Sequence, residues 1–117
     1  MLHQGVYAYC VVPHGADISA LAPVATVREQ EGLTIVVAEA QAIAADLSIV
    51  LRAAWITLNV HSDLHSVGLT AEVSRALSQA NISCNVIAGS FHDHVFVPAE
   101  FSLAALKVLR GLQQSPD

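Results

Sequence analysis

The sequence predicts an α+β chain whose second half follows a split βαβ, ferredoxin-like plan. Three observations carry this. "WITLNVH" alternates, with Ile56, Leu58 and Val60 on one side and Thr57, Asn59 and His61 on the other, as a half-buried strand does. "LTAEVSRALSQAN" sets Leu69, Val73, Ala76, Leu77 and Ala80 along one helical stripe. "ISCNVIA" and "HDHVFVP" then read as two strands joined by a turn at Gly89 and Ser90. With a last helix over "AEFSLAALKVLRGL", the order is β–α–β–β–α.

Local chemistry marks the boundaries. Asn81 suits the end of the first of these helices, because Asn tolerates a left-handed backbone. Pro98 ends the last strand. The last helix aligns Phe101, Ala105, Val108 and Leu112. A completed ferredoxin-like unit needs one more strand, and none follows that helix. Strands of the first half are expected to fill that edge and cover its unpaired backbone.

The first half is β-rich. "GVYAYCVVP" is an apolar strand ending at Pro13, and "HGADISALAP" is a loop or one short turn. "VATVRE" and "GLTIVVA" are strands around a tight turn at Gln30 to Gly32. "EAQAIAADL" is a short helix, and "SIVLRAA" is either a connector or the lead-in to the next strand. The division expected is 1–53 and 54–117, as two halves packed together rather than independent beads, since no charged or Gly/Ser-rich linker separates them.

Composition narrows the function classes. The 117 residues are 54% hydrophobic and 13% charged, too apolar for disorder and suggestive of surface hidden in a homodimer or larger homo-oligomer. Ten acidic residues outnumber five basic ones, and no basic stripe exists, which argues against nucleic acid and membrane surfaces as partners. No apolar run reaches the roughly 20 residues of a spanning helix. The start "MLHQGVYAYC" lacks a signal-peptide pattern, so a cytoplasmic location is expected. Cys10 and Cys84 sit apart in apolar runs and read as buried reduced thiols.

The histidines supply the candidate site. In a split βαβ unit the first and third strands are central neighbours, so His61 ends its strand where His92 begins its own. The loop after His61 carries Asp63, His65 and Ser66 and leads through Val67 into a helix starting near Gly68, Leu69 and Thr70. Helix N-termini attract carboxylates and phosphates, Gly68 permits close backbone approach, and Ser66 or Thr70 could cap the helix. Gly68 is equally readable as a plain turn glycine. Asn59, Asn85 and His94 should share the sheet face opposite the helices, because Val95 and Val97 need the core face. Asp93 then points away from its two flanking histidines.

The run "WITLNVHSDLHSVGLTAEVSRALSQANISCNVIAGSFHDHVFVP" resembles small bacterial ACT-domain proteins with tandem ACT-like halves. The shared pattern is a Trp-led strand ending in VHS, a VGLTA helix start, an ISCNV strand and an HDHxFVP strand. The likeness extends more weakly to "GLTIVVAE", and the second half is distantly similar to the ACT modules of the CASTOR arginine sensors. The resemblance implies an ACT-type βαββαβ fold and binding of an amino acid or other small effector beside the loop joining first strand and first helix. On this chain that loop is His61 to Thr70, with Asn85, His92, Asp93 and His94 facing it. An attached enzyme domain is not expected, and Ser90 and Phe91 stand where many members carry two aromatics.

The reading adopted is a regulatory module that binds an amino acid or small carboxylate and has no catalytic residues, cofactor or metal. The alternatives are a ligand-free interaction or oligomerisation module and a histidine metal site using His92, His94 and His61. The metal reading wants three or four ligands, and Asp93 faces away. Nucleophilic catalysis lacks a Gly-x-Ser-x-Gly turn, and Cys84 is expected inside a strand.

Overall fold

A computed structural model describes residues 1–58 and 68–113 of the chain. It divides into two compact units, one of Gly5–Ala53 and one of Met1–Gln4 with the residues from Ala54 onward. Each is ferredoxin-like, and each is built from alternating strands that bury one face under helix or turn.

In the first unit, β1 (Tyr7–Val12) is followed by a 3-10 turn at Ser19–Leu21, then β2 (Ala25–Arg28), β3 (Leu33–Ala38) and α1 (Glu39–Ala44). The unit ends in the first residues of β4 (Leu51–Leu58). The strand order is β2-β3-β1-β4, the ferredoxin-like sequence, with the 3-10 turn standing where the first helix would be. Pro13, Gly15 and Pro23 leave no room there for a regular helix. β1 runs antiparallel to β3 with Cys10 opposite Ile35, and to β4 with Tyr7 opposite Ala53. Alternation turns Ala8, Cys10, Val12, Ile35 and Val37 inward onto Ala42 of α1. "SIVLRAA" thus resolves into the opening of β4. Its Arg52 donates from Nε to Oε2 of Glu39 at 2.5 Å, which holds that carboxyl below its ordinary range.

The second unit contains the rest of β4, α2 (Leu69–Gln79), β5 (Asn85–Ala88), β6 (Asp93–Pro98), a 3-10 turn at Ala99–Phe101 and α3 (Ser102–Gln113). β6 lies between β4 and β5, as the split βαβ plan requires. The missing edge strand is supplied by the first residues of the chain. Leu2 bridges Ile56 in antiparallel sense, the His3 N–H donates to Trp55 O at 2.9 Å, and the Thr57 N–H donates to Met1 O at 2.9 Å.

Asn81 closes α2 as expected, at φ 62°. The Ile82 N–H reaches back to Leu77 O and the Asn81 N–H to Ser78 O, the paired bonds of a Schellman ending. The strand after it starts at Asn85, so Cys84 precedes it, half-buried against the core.

Val73, Leu77, Ile82, Val95, Val97, Ala105 and Leu109 form the core of this unit with Ala54, Ile56 and Leu58. Two expectations about the stripes need correction. Ala80 is exposed, because the chain is already leaving the helix there. In the last helix the buried positions are Ala105 and Leu109, with Val108 and Leu112 at their flank, and Phe101 is 39% exposed. The tighter 3-10 turn at Ala99–Phe101 offsets the phase of the α-helix that follows.

Leu77 is fully buried at 0% exposure. Leu77→Ala should cost about 2–5 kcal/mol of stability in urea unfolding, while Gln79→Ala on the exposed side should stay within about 0.5 kcal/mol.

Candidate functional site

The start of α2 is the first component. Gly68 precedes the helix at φ 107° and has no side chain with which to cap it. Its carbonyl accepts the Glu72 N–H at 2.8 Å. Among the described residues no atom lies within 4 Å of where a Cβ on Gly68 would stand. A positive φ of this size is open to glycine and costly for other residues, so the backbone here is exposed by sequence choice. Leu69 is half-buried against the core and Thr70 is exposed on the first turn.

The second component is the sheet face opposite the helices. On β6, Val95 and Val97 are buried at 0%, which turns His94 and Phe96 to the other side. Asn85 pairs opposite Phe96 and Ile87 opposite His94, so Asn85 shares the His94 face. Asp93 falls on the core side with Val95 and Val97 and is 3% exposed. His92 stands exposed just before β6, its ring edge-on to His94 with centroids 6.5 Å apart.

β4 and the N-terminal strand complete this face. The His3 ring lies flat on Trp55, with centroids 3.4 Å apart and planes 7° from parallel. Trp55 in turn stacks near Phe96 at 6.1 Å. The indole Nε1–H donates to His94 Nδ1 at 3.1 Å. Thr57 Oγ1 lies 3.1 Å from that same Nδ1 and 2.7 Å from His3 Nε2. Burial holds the His94 imidazole below its ordinary value, helped by the nearby His92 and opposed by Asp93. Burial also lowers His3, with His94 and the terminal ammonium of Met1 adding to it.

Of the residues expected from sequence, Gly68, Leu69 and Thr70 stand together at the helix start, and Asn85 and His94 share one sheet face. Asp93 lies on the opposite face, as its alternation requires, and His92 is at the strand's edge. His61, Asp63, His65, Ser66 and Val67 lie outside the described residues, as does Asn59. His3, Trp55 and Thr57 were not singled out as site residues. The alternation of "WITL" does put Trp55 and Thr57 on one face. His3 carries no local signal, because its place beside β4 is a contact across half the chain. Among the described residues no group of three or more His, Cys, Asp or Glu side chains could hold a metal ion.

ACT-domain families match residues 1–54 and residues 50–111. The chain belongs to the ACT-domain family. Its halves are therefore regulatory modules of a small-molecule-binding kind. A Vibrio cholerae protein described as of unknown function and a possible transport protein is 44% identical, with a TM-score of 0.88 over 97% of this chain and 88% of its own. An Agrobacterium tumefaciens protein shares the fold at 20% identity and a TM-score of 0.74, over 92% of this chain and 82% of that one. The regulatory subunit of aspartate kinase from Thermus thermophilus shares it at 13% identity and 0.68, over 95% and 93%. None of the curated proteins matches the chain. Among the described residues no helix is long and apolar enough to cross a membrane.

The ACT module's geometry makes Gly68 a sensitive position. Gly68→Ala should destabilise the protein by about 1–3 kcal/mol through backbone strain, read as a lowered midpoint of chemical unfolding.

Proposed function

We propose that this protein is a cytoplasmic regulatory ACT protein that binds an amino acid, or a closely related small carboxylate, and performs no chemistry on it. The observation that carries the reading is Gly68, at φ 107°, opening an 11-residue helix in an ACT module with no described atom within 4 Å of where a Cβ on it would stand. Free N–H groups and the positive end of the helix dipole favour a carboxylate there. The proposed ligand residues are Gly68, Leu69, Thr70, Asn85, His92, Asp93 and His94, with His61, Asp63, His65, Ser66 and Val67 preceding Gly68 in the sequence. Asp93 is the weakest member, since it faces the core. The two ACT matches together account for residues 1–111, which supports a role in binding rather than catalysis.

A homo-oligomer is part of the proposal. Val50 is 71% exposed, Leu103 73% and Phe91 81%, which favours cover by a second copy over lasting contact with water. If the chain were solely an assembly module, it would form an oligomer and respond to no ligand.

Thermal unfolding against the common amino acids and small carboxylates tests the reading. A cognate ligand at about 100 times its Kd should stabilise the protein by about 2.7 kcal/mol. Silence across the set, together with an oligomeric mass in solution, would favour the assembly reading instead.

A further inference from the structure

We propose that the N-terminal strand of the second unit is a pH-sensitive latch, closed while His94 is neutral and released when His94 takes up a proton. The inference rests on the hydrogen-bond polarity of one cluster; it shares His94 with the proposed ligand residues but requires no bound ligand.

An indole N–H is a donor only. It points at His94 Nδ1 from 3.1 Å, so that nitrogen must present its lone pair and the ring proton must sit on Nε2. Thr57 is 7% exposed, and its hydroxyl bridges the two histidines, 2.7 Å from His3 Nε2 and 3.1 Å from His94 Nδ1. A consistent arrangement has His3 Nε2–H donating to Thr57 Oγ1, with the threonine proton shared towards His94 Nδ1. Neutral His94 has a tautomer that fits. The imidazolium has none, because both of its nitrogens carry protons and the indole N–H then meets another donor. Protonation thus removes the acceptor that joins Trp55 and Thr57 to β6.

His3 is the side chain through which the N-terminal strand joins this cluster. It stacks on Trp55 and bonds Thr57, and its strand is also held by Leu2, half-buried against the core and bridged to Ile56, by the backbone bonds at Trp55 and Thr57, and by the terminal ammonium, which donates to Thr57 O at 2.6 Å. Gly5 follows at φ 83°, a glycine conformation beside exposed Gln4, where the chain can turn away. Among the described residues, the titratable groups around His94 are His92 edge-on beside it, Asp93 preceding it, and His3 across Thr57. The Met1 ammonium is the charge nearest His3. Ala54–Leu58 of β4 and Asn85–Ala88 of β5 bring no charge. His61, Asp63 and His65 lie outside the described residues.

The sign follows from burial. Both histidines are held below their ordinary 6.5 in the closed state. The open state therefore binds more protons below that pH. Latch stability is fully present above about pH 6.5 and falls as the pH drops below it, levelling once the closed-state groups are themselves protonated.

Amide hydrogen exchange on the full chain tests this, with protection corrected for intrinsic rates and followed from about pH 7.5 to about pH 5.5, either side of the ordinary histidine value. Protection of the His3 and Thr57 amides should fall more steeply than that of the β5–β6 ladder as the pH drops through the ordinary histidine value. Trp55→Phe keeps the ring but removes the donor, and His94→Gln cannot take a proton. Each should flatten the pH dependence. Two results would overturn the latch: a constant ratio of His3 and Thr57 protection to that of the β5–β6 ladder across this range, or a wild-type pH dependence retained in whichever variant folds.

Discussion

Strand β4 needs a hydrogen-bonding partner on both of its edges, and the architecture is arranged around meeting that need. Its residues Leu51 to Ala53 pair with β1 and close the first ferredoxin-like unit. The remainder belongs to the second unit, where β6 takes one edge. The other edge would leave the backbone of Trp55 and Thr57 unpaired, which costs about 1–3 kcal/mol per group when buried. Met1 to His3 supply those bonds. Residues from the opposite end of the chain thereby pair with the edge of the second unit.

The same pairing decides the chemistry of the sheet face opposite the helices. Strand alternation sends Ile56, Leu58, Val95 and Val97 into the core, so Trp55, Thr57, His94 and Phe96 are left on the other side. An indole donor placed against a ring nitrogen selects the tautomer and disfavours the cation. Burial acts in the same direction. The polar groups on this face are held in a bonded chain from His3 to Trp55, while among the described residues no atom lies within 4 Å of where a Cβ on Gly68 would stand. Fixed polar groups on the sheet are in keeping with a regulatory module of a small-molecule-binding kind.

Much of this was legible in the residues. The alternation of "WITL" and "HVFVP", the stripe of Val73 and Leu77, and Asn81 at a helix end each read correctly, because each is set by neighbours within one or two turns of chain. The resemblance to tandem ACT proteins came from the run Trp55 to Pro98 and was matched by the family assignment. The phase of the last helix was less legible, since a single 3-10 turn shifts it and leaves no compositional mark. The gathering of His3, Thr57 and His94 was not legible. His3 and Thr57 are 54 positions apart, and nothing near residue 3 indicates which strand will receive it.

The sequence by itself determined the inward and outward faces of the described strand residues and the close of α2 at Asn81, since side-chain alternation and Asn's tolerance of a left-handed backbone are local properties. Only the tertiary structure decided that the first three residues complete the second unit, and that His94 meets a donor from β4 at its Nδ1. Those outcomes depend on which backbone edge is left unpaired after the other strands have formed. That is a property of the assembled sheet rather than of any segment within it.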